Sequence, residues 1–600
     1  MNNPSHLLGL NNQQLEAVQC KENIVFVNAG PGSGKTLLLV SKLIDIILSS
    51  PTHQKIVSLS YTNTAARQLG DRFSRKAREF AIQKQYSFFN GTIHSFCYRM
   101  MKRYFKDSFS QIILDDDELE EMSLEIERHF EGRYSRQVIL SRLKSSEHEK
   151  DDELASQITA MKEALNVLSI RDILLRFVQM LDNDPSFRGW ISDQITVIAI
   201  DEAQDLSRIN YTILDRLITC IPHLKVFLVG DPRQNIFEFN GGSYRHLEEF
   251  LSLYPNHATK DLSISYRCSQ SIADYVNGFS FSDCPNIRLQ PVIGNSFGKV
   301  RLYQVSDEAM EAQKVYESIM GIGNLNSCGV LCNNLLSTRE LIRLLNAKKI
   351  PYKVQGGRKT LKRHVRFLNH LLRIIDTDNA YSIRKVAEYA GLDIMHEGRR
   401  SKDKFYDSHL GRTLAEIRDR TSGFKFPVIL YLVIERIMRK ASDTVERLQD
   451  YQELLDISGL FETTADYLLS FSTDKERFSR FYDKDYLECP LPVEDEYLTI
   501  STIHSAKGLE WDHVFVMGLS EGIFPNPYFA QDMAPDKRMA FYNSEWKKMY
   551  VAATRARNTL ILTCPGAINR KGCWFRLSPS RFVRNLISHA STNTERAYVR

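Results

Sequence analysis

The residues most clearly arranged for chemistry are a lysine and a threonine closing a glycine-rich turn, Ala29-Gly30-Pro31-Gly32-Ser33-Gly34-Lys35-Thr36. The apolar run Ile24-Val25-Phe26-Val27 precedes the turn and a helix-forming run follows it. A buried strand entering such a loop lets backbone N–H groups curl around an oligophosphate, and the next helix points its positive end at the same charge. Lys35 can then reach the β- and γ-phosphates, and the Thr36 hydroxyl can hold Mg²⁺. The full pattern wants glycine where this chain has Ala29.

A second element, Ile198-Ala199-Ile200-Asp201-Glu202-Ala203-Gln204-Asp205, delivers two adjacent carboxylates at the end of an apolar strand. In α/β sheets that is where ligands bind. Beside a phosphate cradle, Asp201 is expected to bind Mg²⁺ and Glu202 to orient and deprotonate an attacking water. Gly230-Asp231-Pro232-Arg233-Gln234 follows another apolar run and sets Gln234 where an amide could sense a terminal phosphate. Ser265-Tyr266-Arg267 and Ala553-Thr554-Arg555-Ala556-Arg557 each bring an arginine, the side chain best fitted to bidentate phosphate contact. A lone arginine is more often a surface ion pair, and it is the company of these segments that favours a phosphate role.

Elements must position these groups. The first 100 residues and residues 190–300 alternate short apolar runs with helical periods, as a parallel sheet requires. Strands are expected at 24–27, 56–60, 195–200 and 226–229, and again near 300–303, 329–331, 352–354, 498–502, 514–516 and 560–563. Between them lie two charged, helix-favouring intervals. The expected organisation is α/β with two parallel-sheet domains, each carrying a mainly helical insertion: 1–100 with 191–295, interrupted by 101–190, and 296–380 with 486–600, interrupted by 381–485. The 43% hydrophobic and 25% charged composition is that of a water-soluble globular chain. No apolar stretch approaches the roughly 18 residues of a membrane span, and Met1-Asn2-Asn3-Pro4 lacks a signal peptide's pattern, so a cytoplasmic protein is expected. Ten scattered cysteines suggest buried thiols rather than a zinc site. A net charge of +5 permits a nucleic-acid partner without arguing for one.

In order and company these segments resemble superfamily-one DNA helicases of the UvrD/Rep type, over nearly the whole chain. Leu10-Asn11-Asn12-Gln13-Gln14 is similar to the adenine-reading Q motif, with Gln14 in the reading position. Residues 29–36 match motif I, where alanine in first place is usual. Tyr61-Thr62-Asn63-Thr64-Ala65-Ala66 resembles motif Ia and Gly91-Thr92-Ile93-His94-Ser95-Phe96 motif Ib, both strand-contacting. Residues 201–205 resemble motif II, 230–242 motif III and 265–267 motif IV. Thr502-Ile503-His504-Ser505-Ala506-Lys507-Gly508-Leu509-Glu510 is close to motif V throughout, and residues 550–557 resemble motif VI.

The resemblance implies two RecA-like domains and an ATP-dependent single-stranded DNA translocase and helicase, running 3′ to 5′ on single strands and 3′-tailed duplexes. Lys35, Thr36, Ala29, Gly30, Gly32, Ser33, Gly34, Gln14, Tyr266 and Glu510 would bind Mg-ATP, and Arg267 and Arg555 would close on its γ-phosphate. Tyr61, Thr62, Asn63, His94, His504 and Phe239 would line the DNA path, with Phe239 stacking on a base. Three departures stand out. Thr64 replaces a lysine, Ser265 an asparagine, and Phe237-Glu238-Phe239-Asn240-Gly241 lacks the usual cation and adds an unhelpful charge at Glu238. His94 and His504 are by default structural histidines, and the aromatics Tyr61, Phe96, Phe237 and Phe239 core residues. The basic run Lys359-Thr360-Leu361-Lys362-Arg363-His364-Val365-Arg366 fits a phosphate track and a solvated helix face equally. A second class of function is a regulatory ATPase subunit that binds DNA or a partner, such as a separate nuclease, without unwinding. Too few residues follow Arg557 for a nuclease domain to be expected in the same chain.

Overall fold

Strands that read as unbroken apolar runs form the centres of two six-stranded parallel sheets. The computed structural model describes residues 5–82, 85–106, 111–114, 116–130, 133–144, 153–238, 241–292, 298–356, 361–392, 398–439, 444–473, 496–526, 533–570, 573–584 and 586. The first sheet comprises β1 (Ile24–Ala29), β2 (Gln54–Leu59), β3 (Tyr86–Gly91), β4 (Val197–Ile200), β5 (Lys225–Gly230) and β6 (Ala258–Leu262), in the order β3-β2-β4-β5-β1-β6. Every residue of β1 and β4 is buried, because helices cover both faces of the sheet. One face packs on α1 (Asn12–Gln19), α2 (Lys35–Ser49) and α3 (Asn63–Glu79), the other on α4 (Ile93–Phe105) and the helices that follow.

The second sheet repeats the plan. It contains β7 (Lys299–Val305), β8 (Cys328–Cys332), β9 (Tyr352–Gln355), β10 (Leu498–Thr502), β11 (Trp511–Val516) and β12 (Ala556–Pro565), in the order β7-β12-β11-β8-β10-β9. Its two faces form separate apolar cores. All nine cysteines of the described residues are free thiols.

Two helical regions pack against each other across the molecule. In the first, α5 (Asp116–His129) presents Glu118 and Glu121; in the second, α6 (Arg363–Thr377) and α7 (Ala380–Ala390) present cations. Arg373 pairs with buried Glu118 and donates to Ile113 O at 3.1 Å, while Arg366 and Lys385 reach Glu121 at 2.7 and 2.9 Å. Of the basic run around residue 363, Lys362, His364 and Arg366 are engaged by carboxylates of the protein, while Arg363 stays exposed. Lys362 and His364 both meet buried Asp450, at 2.9 and 3.0 Å, and Arg363 lies over the Tyr389 ring. Such pairs fix orientation more than they stabilise, since desolvating each charge offsets most of the attraction. Lys359 and Thr360 lie outside the described residues.

Candidate nucleotide and DNA site

α2 begins without a side-chain cap, unlike α1, α3 and α4, which Asn11, Thr62 and Thr92 cap. Its N-cap is Gly34 at φ 83°, a left-handed conformation that glycine adopts at little cost. The first-turn N–H groups of α2 are thus left for an anion. Gly32, at φ 73°, is also required by space: a Cβ there would lie 2.5 Å from the Cβ of Arg267. Lys35 Nζ donates to Ala29 O at 3.4 Å, a long bond it can exchange for phosphate.

Gln14 is buried, donating to Ser33 O at 2.8 Å and accepting from Asn11 N at 3.0 Å, which ties α1 to the glycine-rich loop. Tyr266 is half exposed and accepts from Asn11 Nδ2 at 2.8 Å. The departure at Ser265 has a structural use. Its buried hydroxyl donates to Pro31 O at 2.8 Å and accepts from Arg267 N, fastening this segment to the same loop.

β4 delivers Asp201 and Glu202 into the interior, with Glu202 at φ 56°. Burial, and then the Glu202 charge, raise the Asp201 carboxyl above its ordinary range. Burial opposes the Glu202 carboxylate as well, but Lys35 and Lys507 outweigh it and hold Glu202 ionised. From Glu202 a chain of hydrogen bonds leads across the molecule. Gln204 Nε2 donates to Glu202 at 2.6 Å and Gln204 Oε1 accepts from Asp231 N at 3.0 Å. Asp231 accepts from Gln234 Nε2 at 2.9 Å, and Gln234 Oε1 accepts from Arg555 Nη2 at 2.8 Å. Arg555, supplied by the second sheet, is fully buried and also donates to Val551 O and Leu509 O. Burial and the neighbouring Arg267 disfavour its charge. Arg267 itself is held by Glu510 at 2.5 Å and donates to Thr554 O at 3.2 Å, and Glu510 pairs with Arg557 as well.

Lys507 carries no assigned role in the sequence reading, yet from beyond β10 of the second sheet it contacts groups carried by the first. Its ammonium pairs with buried Asp205, donates to Gln234 O at 2.8 Å and lies 5.1 Å from the centre of the Phe237 ring. Phe237 stacks on Tyr61 with ring centres 4.8 Å apart, and His504 lies against it at 6.1 Å. Burial and nearby Lys548 push His504 down to about 4, so its ring is neutral at neutral pH. Thr62 and Asn63 open α3 at the carboxyl end of β2, and His94, likewise held neutral by burial, opens α4 at the end of β3. Phe239 and Asn240 lie outside the described residues, and the aromatic surface in view is that of Tyr61 and Phe237. The charge at Glu238, expected to hinder DNA, is corrected: buried Lys547 contacts it at 3.2 Å and Asp283 at 2.5 Å.

A hairpin missed by the sequence reading follows β12. Its strands Ala567–Arg570 and Cys573–Arg576 pair antiparallel, and Trp574 and Phe575 are 62% and 52% exposed. Two large aromatics exposed side by side on a hairpin mark a candidate contact site.

Two parallel-sheet domains sharing a phosphate loop, an acid pair and an arginine across the cleft define a nucleotide-hydrolysing motor as the class of protein. Comparison with known proteins specifies it. Residues 10–162 and 110–255 match the UvrD/REP helicase N-terminal domain, and residues 397–565 match the UvrD-like helicase C-terminal domain. The chain belongs to the UvrD/Rep family of ATP-dependent DNA helicases. It is 25% identical to the ATP-dependent DNA helicase UvrD1 of Mycobacterium tuberculosis, covering 96% of this chain and 85% of the relative. The same identity relates it to the ATP-dependent DNA helicase PcrA of Bacillus subtilis (93% and 83%) and to DNA helicase II of Salmonella typhimurium (97% and 88%). Among the described residues, no helix is long and apolar enough to cross a membrane.

Proposed function

We propose that this helicase is a translocase that moves 3′ to 5′ on single-stranded DNA and unwinds 3′-tailed duplexes by cyclic closure of its two α/β domains, bounded as the sequence texture suggests. The observation that carries this reading is Lys507. One ammonium touches both Gln234, in the chain of bonds from Glu202 to Arg555, and Phe237, on the aromatic surface. Phosphate state and strand grip therefore share a group.

The residues present fit Mg²⁺. Thr36 and Asp201 would hold it, an all-oxygen donor set suited to a hard cation, and burial makes the Asp201 carboxylate short of compensating charge. When bound, the cation neutralises charge developing on the β- and γ-phosphates. Glu202 orients and deprotonates water, Lys35 leaves Ala29 O for phosphate, and Arg267 and Arg555 exchange Glu510 and Gln234 for the γ-phosphate. Tyr61 and Phe237 stack against bases while Thr62, Asn63, His94 and His504 line the backbone path.

The exposed hairpin favours unwinding over a regulatory ATPase that binds without separating strands. β12 and β10 are three strands apart in one parallel sheet, so the hairpin and His504 both follow the carboxyl ends of strands, which lie about 14 Å apart across the sheet. There Trp574 can act as an apolar wedge against a base pair. Strand displacement on a 3′-tailed duplex, against a 5′-tailed control and ATPase alone, tests the reading. ATP turnover without displacement of either substrate would leave the regulatory role, beside a partner such as a nuclease. Replacing Trp574 and Phe575 by alanine is expected to slow displacement about tenfold or more, since each unstacked step costs a few kcal/mol, while single-strand-stimulated ATPase persists. Equal loss of both activities would mark the hairpin as structural.

The stacking surface has its own test. Phe237→Ala is expected to weaken oligothymidine binding by about 1–3 kcal/mol, one stacked base. Fluorescence anisotropy reads this directly, and unchanged affinity would return Phe237 to the core.

A further inference from the structure

We infer that the outer face of α3 is a second phosphate-binding surface, which extends the grip on single-stranded DNA beyond the Tyr61–Phe237 stack. The inference rests on the DNA-motor reading and adds to it a partner for a surface that the family motifs leave unassigned.

α3 buries Ala66, Leu69, Phe73 and Ala77 against the first sheet and turns its other side to solvent. That side carries Arg67, Arg72, Arg75 and Arg78, all exposed, with Lys76 at its margin. Against these five cations the helix holds two acids, Asp71 and Glu79. Arg67, Arg75 and Arg78 recur two and three turns apart and so fall on one line, and Asp71 sits within it. Among the described residues, Arg72 and Arg75 meet no carboxylate, and Arg78 bonds only Ser74 O, at 3.3 Å on its own helix. This contrasts with the other basic run, around residue 363, where Lys362, His364 and Arg366 meet Asp450 and Glu121. Arg72, Arg75 and Arg78, exposed and, among the described residues, without a facing carboxylate, gather positive charge that attracts an anion.

Position selects the anion. α3 starts at Thr62 and Asn63, at the strand-contacting end of β2, and its 17 residues run about 25 Å back along the sheet. Arg72 lies about 14 Å and Arg78 about 22 Å from that start. A duplex strand spaces its phosphates about 3.4 Å apart and an extended single strand spaces them farther, so the helix spans at most about seven nucleotides of a strand leaving the track. Guanidinium groups suit phosphate, and a contact with the backbone alone is blind to sequence, as a motor requires.

The test compares wild type with the triple variant Arg72→Gln, Arg75→Gln, Arg78→Gln, using oligothymidines of about 10 and about 30 nucleotides at several salt concentrations. For the longer strand, affinity is expected to fall about tenfold and the salt slope by about 2, at about 0.7 per lost contact. Binding of the shorter strand, and the ATPase it stimulates, are expected to stay at wild-type level. Lysine at all three positions should restore the slope. An unchanged slope for the longer strand would make the row a solvated face, and equal losses at both lengths would deny it a separate role. Length-independent binding with tight capture of a polyglutamate peptide would assign it to an acidic protein segment and overturn the inference. Wild type failing to bind either strand would instead refute the motor reading.

Discussion

Glu202→Gln is expected to bind ATP normally and to hydrolyse it about 10²–10⁴-fold more slowly, the contribution of a positioned general base. The substitution keeps the shape of the side chain. Its amide oxygen can still accept from Gln204 Nε2, and Asp201, Lys35 and the open first turn of α2 are untouched. What it removes is the capacity to take a proton. Without nucleotide, Lys35 and Lys507 hold the Glu202 carboxyl below its ordinary range, which makes it a weak base. An incoming triphosphate draws Lys35 away and brings negative charge beside the carboxylate, so the base strengthens as substrate arrives. Lys35→Ala should fail differently, losing nucleotide affinity together with turnover, because the ammonium contacts phosphate in ground and transition states alike. Phosphate release with oligothymidine present, beside binding of a fluorescent ATP analogue, separates the two. Near wild-type turnover by Glu202→Gln would falsify the acid-pair assignment.

Much of the scaffold for this chemistry was legible because central strands of a parallel sheet are buried on both faces and read as plain apolar runs. β1, β4, β5, β8, β10 and β12 are of that kind. Within the two six-stranded sheets β3 and β6 escaped notice, and both are edges. β6 reads Ala258-Thr259-Lys260-Asp261-Leu262, half exposed, and its polar residues carry no apolar signal. β3 holds Ser87 and Asn90 among its aromatics, because only one side of an edge strand needs covering.

The cradle and the acid pair were legible because each is local in sequence. The wiring between them was not. Lys507 meets Asp205 across 302 positions, Lys547 meets Glu238 across 309, and Arg555 meets Gln234 across 321. Periodicity does not encode which distant side chain will neutralise a buried charge. Glu238 therefore read as a liability for DNA, when it is a partly exposed partner of buried Lys547. Ser265 read as a weakened motif, yet a hydroxyl is short enough to bond Pro31 O against Gly32. Trp574 and Phe575 drew no notice in the sequence, since their exposure appears only once the hairpin is built.

The second large effect is expected at Arg555, where lysine should lower ATP turnover by about 10³–10⁵ while leaving nucleotide-free DNA affinity unchanged. Lysine is the informative replacement. Alanine would strand the acceptors Val551 O, Leu509 O and Gln234 Oε1 in a dry interior, each at about 1–3 kcal/mol, and confuse lost catalysis with lost stability. Lysine keeps a cation and part of this bonding but lacks the planar fork that meets two phosphate oxygens at once. The guanidinium is primed for that partner. Burial and the Arg267 charge disfavour its ionised form, so a γ-phosphate relieves the imbalance as charge develops in the transition state. Arg267 differs in its starting point, since it must first give up Glu510. Arg267→Lys should therefore slow turnover and also weaken the response of rate to ATP concentration. Steady-state ATPase over a range of ATP, with melting temperatures to show intact folding, measures both. If Arg555→Lys stayed within about threefold of wild type, far inside the expected loss, the guanidinium would be a structural tie between Gln234 and the helix Pro535–Ala553 that precedes it, and Arg267 alone would be left to face the phosphate.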